Sequence, residues 1–138
     1  MHVSIDQESD RKAMCPCGSG KVYGECCEPL HDARAYAQTA EQLMRSRYTA
    51  YVKRLSDYLK QTWAESTRPD EIDFEPGLSW QKLTILKTKK GRPKDQKGWV
   101  TFCAENQVGL ERFKMTEKSE FIRDSDGRWV YLSGEFED

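Results

Sequence analysis

Apolar residues recur at helical spacing between residues 40 and 55 of this 138-residue chain. Thr39 precedes them as a suitable N-cap residue, and Gln42 stands three positions later, where a capping box needs it. A second, shorter group of apolar positions covers about residues 56–64. The spacing therefore predicts two helices in succession. The apolar face of the first is formed by Ala40, Met44 and Tyr51, flanked by Leu43, Tyr48 and Leu55.

Alternation of apolar and polar residues replaces the helical spacing after residue 77. It predicts four strands, over residues 78–88, 98–107, 110–123 and 128–134. Asp126 and Gly127 are the type of pair that closes a tight hairpin between the last two strands. Helices followed by an antiparallel meander indicate an α+β fold, in which the helices pack on a curved antiparallel sheet.

Residues 1–14 show neither pattern, and we expect this N-terminal segment to be flexible. It carries acidic residues where an export signal would be basic, and no apolar stretch follows it. The chain also lacks an apolar run long enough to cross a bilayer. These features predict a cytoplasmic protein that does not insert into a membrane.

Charges nearly cancel over the whole chain, with 22 Lys and Arg against 23 Asp and Glu. This balance gives no general attraction to nucleic acid or anionic lipid. The loop from Lys87 to Lys97 departs from it, because Asp95 is its one acidic residue, and Gly91 and Pro93 predict a hairpin there. The loop could bind the phosphates of RNA, but a solvated loop that protects a sheet edge is the favoured interpretation.

Four of the five cysteines, Cys15, Cys17, Cys26 and Cys27, lie within 13 residues. Disulfides are disfavoured, since adjacent cysteines rarely reach bridge geometry and nothing indicates an oxidising compartment. Two close pairs joined by a short loop suit one zinc ion, which takes four thiolates in a tetrahedron. The ion would be structural, because four thiolates leave no position for water. His31 could replace one thiolate, although an ordinary loop histidine is the favoured interpretation.

The cysteine segment, CPCGSGKVYGECC at residues 15–27, resembles the SEC-C motif, a zinc module found in the SecA preprotein translocase. EPLHDARAYAQTAEQLMRSRYTAYV at 28–52 and KSEFIRDSDGRWVYLSG at 118–134 resemble the YchJ family of uncharacterised bacterial proteins. The resemblance implies a zinc motif followed by a domain like nuclear transport factor 2, a cystatin-like cone. It divides the chain into a flexible segment 1–14, a SEC-C-like motif 15–31 and an α+β cone 32–138.

Two charged residues fall among apolar positions that would face the inside of the cone. Arg47 lies on the apolar face of the first helix, and Glu117 interrupts the apolar alternation of the third strand. We predict that the two meet within about 6 Å, and a structural ion pair is favoured over a catalytic one. Core packing is favoured for each aromatic neighbour taken alone. The residues that could line a pocket beside the pair are Tyr48, Tyr51, Trp63 and Trp80.

Three hypotheses about function follow, in order of preference. The first is a zinc-containing adaptor whose motif docks on a protein partner through Lys21 and Tyr23, with a ligand pocket in the cone. Its partner would be associated with translocation, a chaperone or the ribosome, as the motif's occurrence in SecA implies. The second is a small enzyme or small-molecule-binding protein, with Glu117 as acid or base and Arg47 holding an anionic group. The third is an RNA-associated protein that uses the basic loop.

A binding role is favoured over catalysis. The sequence shows no Ser-His-Asp set, no Walker loop and no GxGxxG. Its histidines, His2 and His31, both lie outside the predicted strands and helices of the cone, so Cys103 has no evident base. No catalytic residue is therefore assigned from the sequence.

Overall fold

The computed structural model describes residues 5–137, with side chains from residue 9 onward. Helices occupy the first half of the described chain and strands the second, so the predicted α+β fold is confirmed. A 3₁₀ turn, Tyr23–Glu25, lies between the first two helices. The elements are α1 (Ile5–Lys12), α2 (Glu28–His31), α3 (Ala40–Lys53), α4 (Ser56–Gln61), β1 (Leu78–Lys90), β2 (Lys97–Val108), β3 (Glu111–Arg123) and β4 (Trp129–Glu137).

The four strands form one antiparallel sheet in the order β1-β2-β3-β4. The pairing of β1 with β2 shifts register at two places, and that of β3 with β4 shifts between Glu120 and Phe121. Such bulges bend a strand and increase its twist, which lets an open sheet curve around a helix. The inner face carries buried side chains from the three strands β1, β2 and β3: Leu83, Val100, Phe102, Ala104, Ser119 and Phe121.

Helix α3 begins where the sequence predicted. Thr39 Oγ1 accepts a hydrogen bond from the backbone N–H of Gln42 at 3.1 Å, which satisfies one free donor of the first turn. The side chain of Gln42 accepts from the backbone N–H of Gln38 at 2.7 Å, one residue earlier than a standard capping box. The helix ends at Arg54, which adopts a left-handed conformation with φ 59°.

Close contact between two glycines fixes α3 on the β1–β2 hairpin. The backbone N–H of Ala40 donates to the carbonyl of Gly91 at 2.9 Å. Gly91 has a φ of 74° and packs against Gly98, where an added Cβ would overlap with the Gly91 backbone. Because neither residue has a side chain, the first turn of α3 can rest directly on the sheet.

Helix α4 is shorter than the predicted 56–64. It ends before Thr62, and Trp63 pairs instead with Tyr131 of β4 in an isolated parallel bridge. Backbone hydrogen bonds from Tyr131 to Thr62 and from Ala64 to Tyr131, of 2.8 and 2.7 Å, hold this connection. The sheet thus draws the end of the predicted helix into an extended segment at its edge.

The N-terminal segment contains a helix where the sequence predicted flexible chain. Residues 1–4 lie outside the described residues, and Ile5–Lys12 form α1. Arg11 pairs with Glu28 at 3.0 Å, and Asp10 pairs with Lys53 of α3. These ion pairs are exposed, and each contributes little to stability. A helix held by such pairs has no apolar periodicity from which the sequence could predict it. No helix between residues 5 and 137 is long and apolar enough to span a membrane.

Candidate metal centre and cone cavity

The four clustered cysteines converge on one point. Their Sγ atoms all lie within 4.8 Å of one another. The Sγ of Cys26 is 3.6 Å from that of Cys17 and 3.9 Å from that of Cys27. A tetrahedral ion with metal–sulfur distances of about 2.3 Å separates its ligands by roughly 3.8 Å. All four are free thiols, so the cluster has the composition and spacing to hold a metal ion.

Local backbone structure brings the two cysteine pairs together. A bridge between Met14 and Val22, with the N–H of Cys15 bonded to Lys21 at 2.8 Å, folds the first pair into a narrow loop. Gly18 and Gly20 have φ values of 79° and 89°, which side chains disfavour, and they turn the loop. The 3₁₀ turn then delivers the second pair.

Side chains around the cluster link it to the cone. Ser19 Oγ lies 3.1 Å from the Sγ of Cys26, and Thr49 Oγ1 of α3 lies 3.7 Å from the Sγ of Cys15. Arg45 of α3 donates to the carbonyl oxygen of Cys17 at 2.7 Å. Outer groups of this kind orient metal ligands and tune them. The cluster and α3 are therefore one packed unit.

The four thiols of the cluster influence one another's protonation. Hydrogen bonds from Cys15 and Cys27 lower the pKa of Cys17. Burial raises the pKa of Cys26 to about 11, and the pKa of Cys27 is raised by its hydrogen bonds to Cys15 and Cys17. One sulfur is thus favoured as a thiolate at the expense of its neighbours, whereas a divalent cation would stabilise all four.

His31 does not approach the sulfurs. Its Nδ1 lies 2.7 Å from the hydroxyl of Tyr23, and its Nε2 lies 2.9 Å from the carbonyl oxygen of Ser46. A carbonyl can only accept, so Nε2 carries the proton and Nδ1 accepts from Tyr23. Burial lowers the pKa of His31 and favours this neutral form. The ring also packs edge-on against Tyr58, so His31 joins the cysteine segment to α3 and α4.

A cavity of about 250 Å³ lies between α3 and the sheet. Its walls are mostly apolar, as is typical of ligand sites. Each of the six residues predicted to form a pocket lines it: Arg47, Tyr48, Tyr51, Trp63, Trp80 and Glu117. The other lining residues are Met44, Phe102, Ala104, Met115, Ser119 and Tyr131.

Arg47 is the cation of the cavity. The residue is only 3% exposed. Its Nη1 donates to the carbonyl of Leu59 at 2.9 Å and to Thr62 Oγ1 at 2.7 Å. Its guanidinium carbon lies 5.0 Å from the ring centre of Trp63 and 4.9 Å from that of Tyr131. Aromatic faces and the end of α4 therefore hold this cation, although its burial lowers the pKa of the guanidinium.

Glu117 is the carboxylate of the cavity, and it is fixed by other groups than Arg47. Ser119 donates a short hydrogen bond to its Oε2. Gly134 of β4 leaves room for the carboxylate, because a Cβ there would overlap with it. Among the described residues, no salt bridge joins Arg47 to Glu117 or any other carboxylate, so the predicted ion pair does not form as a direct contact. Burial lowers the pKa of Arg47 and the charge of Glu117 opposes this, and the approach of the two groups within about 6 Å stays a prediction. The two face the same cavity separately, because each is already held by its own strand or helix end.

The tyrosines of the cavity are neutral donors at physiological pH. Burial raises the pKa of Tyr48 to about 12 and also raises that of Tyr51. Burial and then the charge of Glu117 raise the pKa of Tyr131 to about 12. Hydroxyls with such pKa values stay protonated near neutrality and can donate hydrogen bonds.

Comparison with known proteins agrees with this architecture. Residues 39–134 match the family model described as the YchJ middle NTF2-like domain, and residues 11–29 match the SEC-C motif. The chain belongs to the YchJ family. Its relatives include UPF0225 proteins of Streptomyces avermitilis, 46% identical over 90% of this chain and 85% of the relative, and of Streptomyces coelicolor, 45% identical over 90% and 96%.

Two solved structures share the fold of this YchJ-family chain. A SEC-C motif containing protein from Rhodopseudomonas palustris, solved in solution, gives a TM-score of 0.78 at 34% identity, covering 90% of this chain and 98% of the other. A SEC-C motif containing protein from Psychrobacter arcticus gives a TM-score of 0.76 at 23% identity, covering 94% and 86%. The cysteine segment and the cone therefore recur together in solved proteins.

The two residues predicted to bind a partner of this YchJ-family protein differ in their exposure to solvent. Lys21 is exposed, whereas Tyr23 is only 6% exposed. The ring of Tyr23 lies beneath the Lys53 ammonium at 4.2 Å, and its hydroxyl contacts His31. Tyr23 thus packs inward, because the 3₁₀ turn directs it toward α3, and its predicted contact with a partner is corrected.

The basic loop lies on the β1–β2 hairpin, as predicted. Arg92 pairs with Asp95 at 2.7 Å, and Arg123 of β3 donates to the carbonyls of Pro93 and Asp95. Its lysines are exposed. The loop is therefore ordered by its own hydrogen bonds, and RNA binding through it stays a prediction.

Three residues that position the charges of the cavity were not predicted as site residues from the sequence. Thr62 accepts a hydrogen bond from Arg47, Gly134 leaves room for Glu117, and Tyr131 covers the guanidinium. Tyr131 could have been found from the alternation of β4, which places it two residues from Trp129. Thr62 and Gly134 carry no such signal, since their roles depend on contacts with residues distant in sequence.

Proposed function

We propose that this YchJ-family protein binds a small molecule in the cone cavity and that one structural zinc ion completes its fold. The observation that carries the proposal is the convergence of Arg47 and Glu117, unpaired with each other, on one mostly apolar cavity. Arg47 is buried and Glu117 is half-buried, and charges held in an apolar cavity without a mutual salt bridge are costly, which supports a role in binding. The protein would act in the cytoplasm, where thiols stay reduced until they bind metal.

The zinc proposal rests on the donor set. Four sulfurs of the spacing described suit zinc, and no coordination position is left for water, so the ion would be structural. Metal analysis of the purified protein is expected to give one zinc per chain. Cys26→Ser should reduce the zinc content, whereas Cys103→Ser should leave it unchanged. A protein that folds fully without metal, or that carries iron instead, would contradict the proposal.

The cavity proposal is tested by filling part of the cavity with a larger side chain. Ala104 lines the cavity, and Cys103 is its neighbour on β2 but is not part of the lining. Fragments of benzene or indole size are screened by ligand-observed NMR against the wild-type protein, Ala104→Leu and the matched control Cys103→Leu. We expect fragments that bind the wild type and Cys103→Leu but not Ala104→Leu. Fragments that bind all three proteins alike, or none of them, would refute a ligand site in the cone.

A second candidate function is docking on a protein partner. The turn that joins the two cysteine pairs, residues 18–21, is fully exposed and carries Lys21. A partner associated with translocation, a chaperone or the ribosome would contact this turn. Capture of such a partner should be lost on Lys21→Glu and kept on the control Lys12→Glu. Equal capture by both variants would exclude the turn as the contact.

A further inference from the structure

We propose that the ligand of the cone cavity is a small amino-acid-like zwitterion with an apolar body. Its carboxylate would bind Arg47, and its ammonium group would donate to Glu117. The inference rests on the proposed function, because it names the chemistry of that same site. It follows from which hydrogen-bonding groups of the cavity are occupied and which are open.

One nitrogen of the Arg47 guanidinium is already hydrogen bonded to the end of α4. Its Nη1 is engaged by Leu59 and Thr62. The hydroxyl of Tyr51 is a further polar neighbour of the Arg47 side chain, and among the described residues Nε and Nη2 donate to no carbonyl or carboxylate. Because Arg47 lines the cavity, these donors are within reach of a ligand there. A carboxylate is the planar acceptor that matches two adjacent donors of a guanidinium.

The carboxylate of Glu117 also has acceptor positions that a ligand could use. Ser119 donates to its Oε2 and the hydroxyl of Tyr131 lies beside the same carboxylate, which still leaves acceptor positions on a carboxylate that lines the cavity. Gly134 lies against the carboxylate without covering it with a side chain. An acceptor placed in this way calls for a ligand group that donates, and an ammonium group is the strongest such donor.

Charge balance limits the ligand further. The cavity holds one cation and one carboxylate, so a phosphate dianion would leave it with excess negative charge at low dielectric. A zwitterion gives each protein charge an opposite partner and adds no net charge. The volume of about 250 Å³ falls below the roughly 300–1,000 Å³ of drug-sized ligand sites. The apolar body would lie against Tyr48, Trp80 and Phe102.

Four probes with one phenyl ring separate the charged groups. L-phenylalanine has both, 3-phenylpropionate has the carboxylate alone, phenethylamine has the ammonium alone and ethylbenzene has neither. Binding to the zinc-loaded full chain is measured by calorimetry and by ligand-observed NMR. We expect L-phenylalanine to bind most tightly, with 3-phenylpropionate and phenethylamine both weaker and ethylbenzene weakest. Loss of either charged group should weaken binding on the order of tenfold.

Two variants assign each charge to its partner. Arg47→Met should lower the affinity for L-phenylalanine and 3-phenylpropionate on the order of tenfold and leave phenethylamine unchanged. Glu117→Gln should weaken L-phenylalanine and phenethylamine and leave 3-phenylpropionate unchanged. Ser133→Ala, on the exposed face of β4, is the matched control. Unchanged binding of the insensitive probe shows that each variant is folded.

The outcomes separate this inference from the proposed function. If phenethylamine or 3-phenylpropionate binds the wild type as tightly as L-phenylalanine, or if ethylbenzene does, the zwitterion is wrong while the cavity site stands. The zwitterion is also wrong, and the cavity site also stands, if none of the four probes binds but other fragments bind the wild type and not Ala104→Leu. If no fragment binds the cavity, both proposals fall. An affinity for 3-phenylpropionate that survives Arg47→Met would also overturn the inference.

Discussion

Substitution of Gly134 by alanine tests how Glu117 is positioned. A Cβ at Gly134 would overlap with the carboxylate of Glu117 and lie 2.9 Å from the hydroxyl of Tyr131. The carboxylate is the free end of a side chain, so it can move away from the intruding methyl group. In doing so it must leave the hydroxyl of Ser119, its hydrogen-bond donor. Gly134→Ala should therefore displace Glu117 without breaking the sheet.

The expected change in stability is the difference of two effects. Alanine in place of glycine within a strand stabilises the folded state by about 0.5–1 kcal/mol, because the unfolded chain loses less freedom. Loss of a hydrogen bond to a charged group costs about 1.5–3 kcal/mol. The free energy of unfolding should therefore fall by about 1–2 kcal/mol, as the lost bond outweighs the gain in the strand.

A double-mutant cycle isolates the contact. When Glu117→Ala is already present, the added methyl group of Gly134→Ala meets no carboxylate, and once the hydroxyl end of Tyr131 has shifted aside it should stabilise the protein by up to about 0.5–1 kcal/mol. The coupling free energy between the two sites is then about 1.5–3 kcal/mol. Urea unfolding of the four zinc-loaded proteins at one pH, followed by tryptophan fluorescence, gives each free energy.

The result that refutes this reasoning is a lack of coupling. If Gly134→Ala destabilises the wild type and the Glu117→Ala protein equally, the methyl group disturbs the strand and not the carboxylate. Ser133→Ala serves as the control, since its exposed side chain should change stability by no more than about 0.5 kcal/mol.

Three further perturbations have expected outcomes. Gly98→Ala should destabilise the protein by about 1–3 kcal/mol in urea unfolding, because its Cβ would overlap with the Gly91 backbone; an unchanged midpoint would show that α3 does not rest on this contact. Tyr23→Phe should cost about 0.5–1.5 kcal/mol, measured in the same way, since His31 loses its donor; Tyr36→Phe, an exposed site, is the control. A strong chelator should lower the melting temperature by several degrees in calorimetry, and an unaltered transition would argue against a structural metal.

Part of the site could be predicted because its signals are local. The four cysteines lie in one short segment, and the spacing of two close pairs limits what they can bind. The membership of the cavity was also predictable, since helical and strand periodicity place Arg47, Trp80 and Glu117 on faces that meet in any such cone. These inferences require only the face of the helix or strand on which a residue lies.

The choice of partners could not be predicted in the same way. Arg47 donates to Leu59 and Thr62 at the end of α4, and Glu117 accepts from Ser119 on its own strand, so the expected ion pair does not form. Periodicity shows that two charges share an interior, but their pairing depends on a few ångströms of separation. Tyr23 illustrates the same limit, because a turn can direct a side chain outward or inward.

The sequence by itself determined the α+β order of elements, the start of α3 at its Thr39 cap and the composition of the cysteine cluster that could hold a metal ion. Each depends on neighbours within a few positions, where backbone geometry leaves little choice. Tertiary structure alone decided that Gly134 makes room for Glu117 and that Arg47 lines the cavity while it donates to Leu59 and Thr62. Both depend on the register of β3 with β4 and on the docking of α4, which bring together groups far apart in the chain.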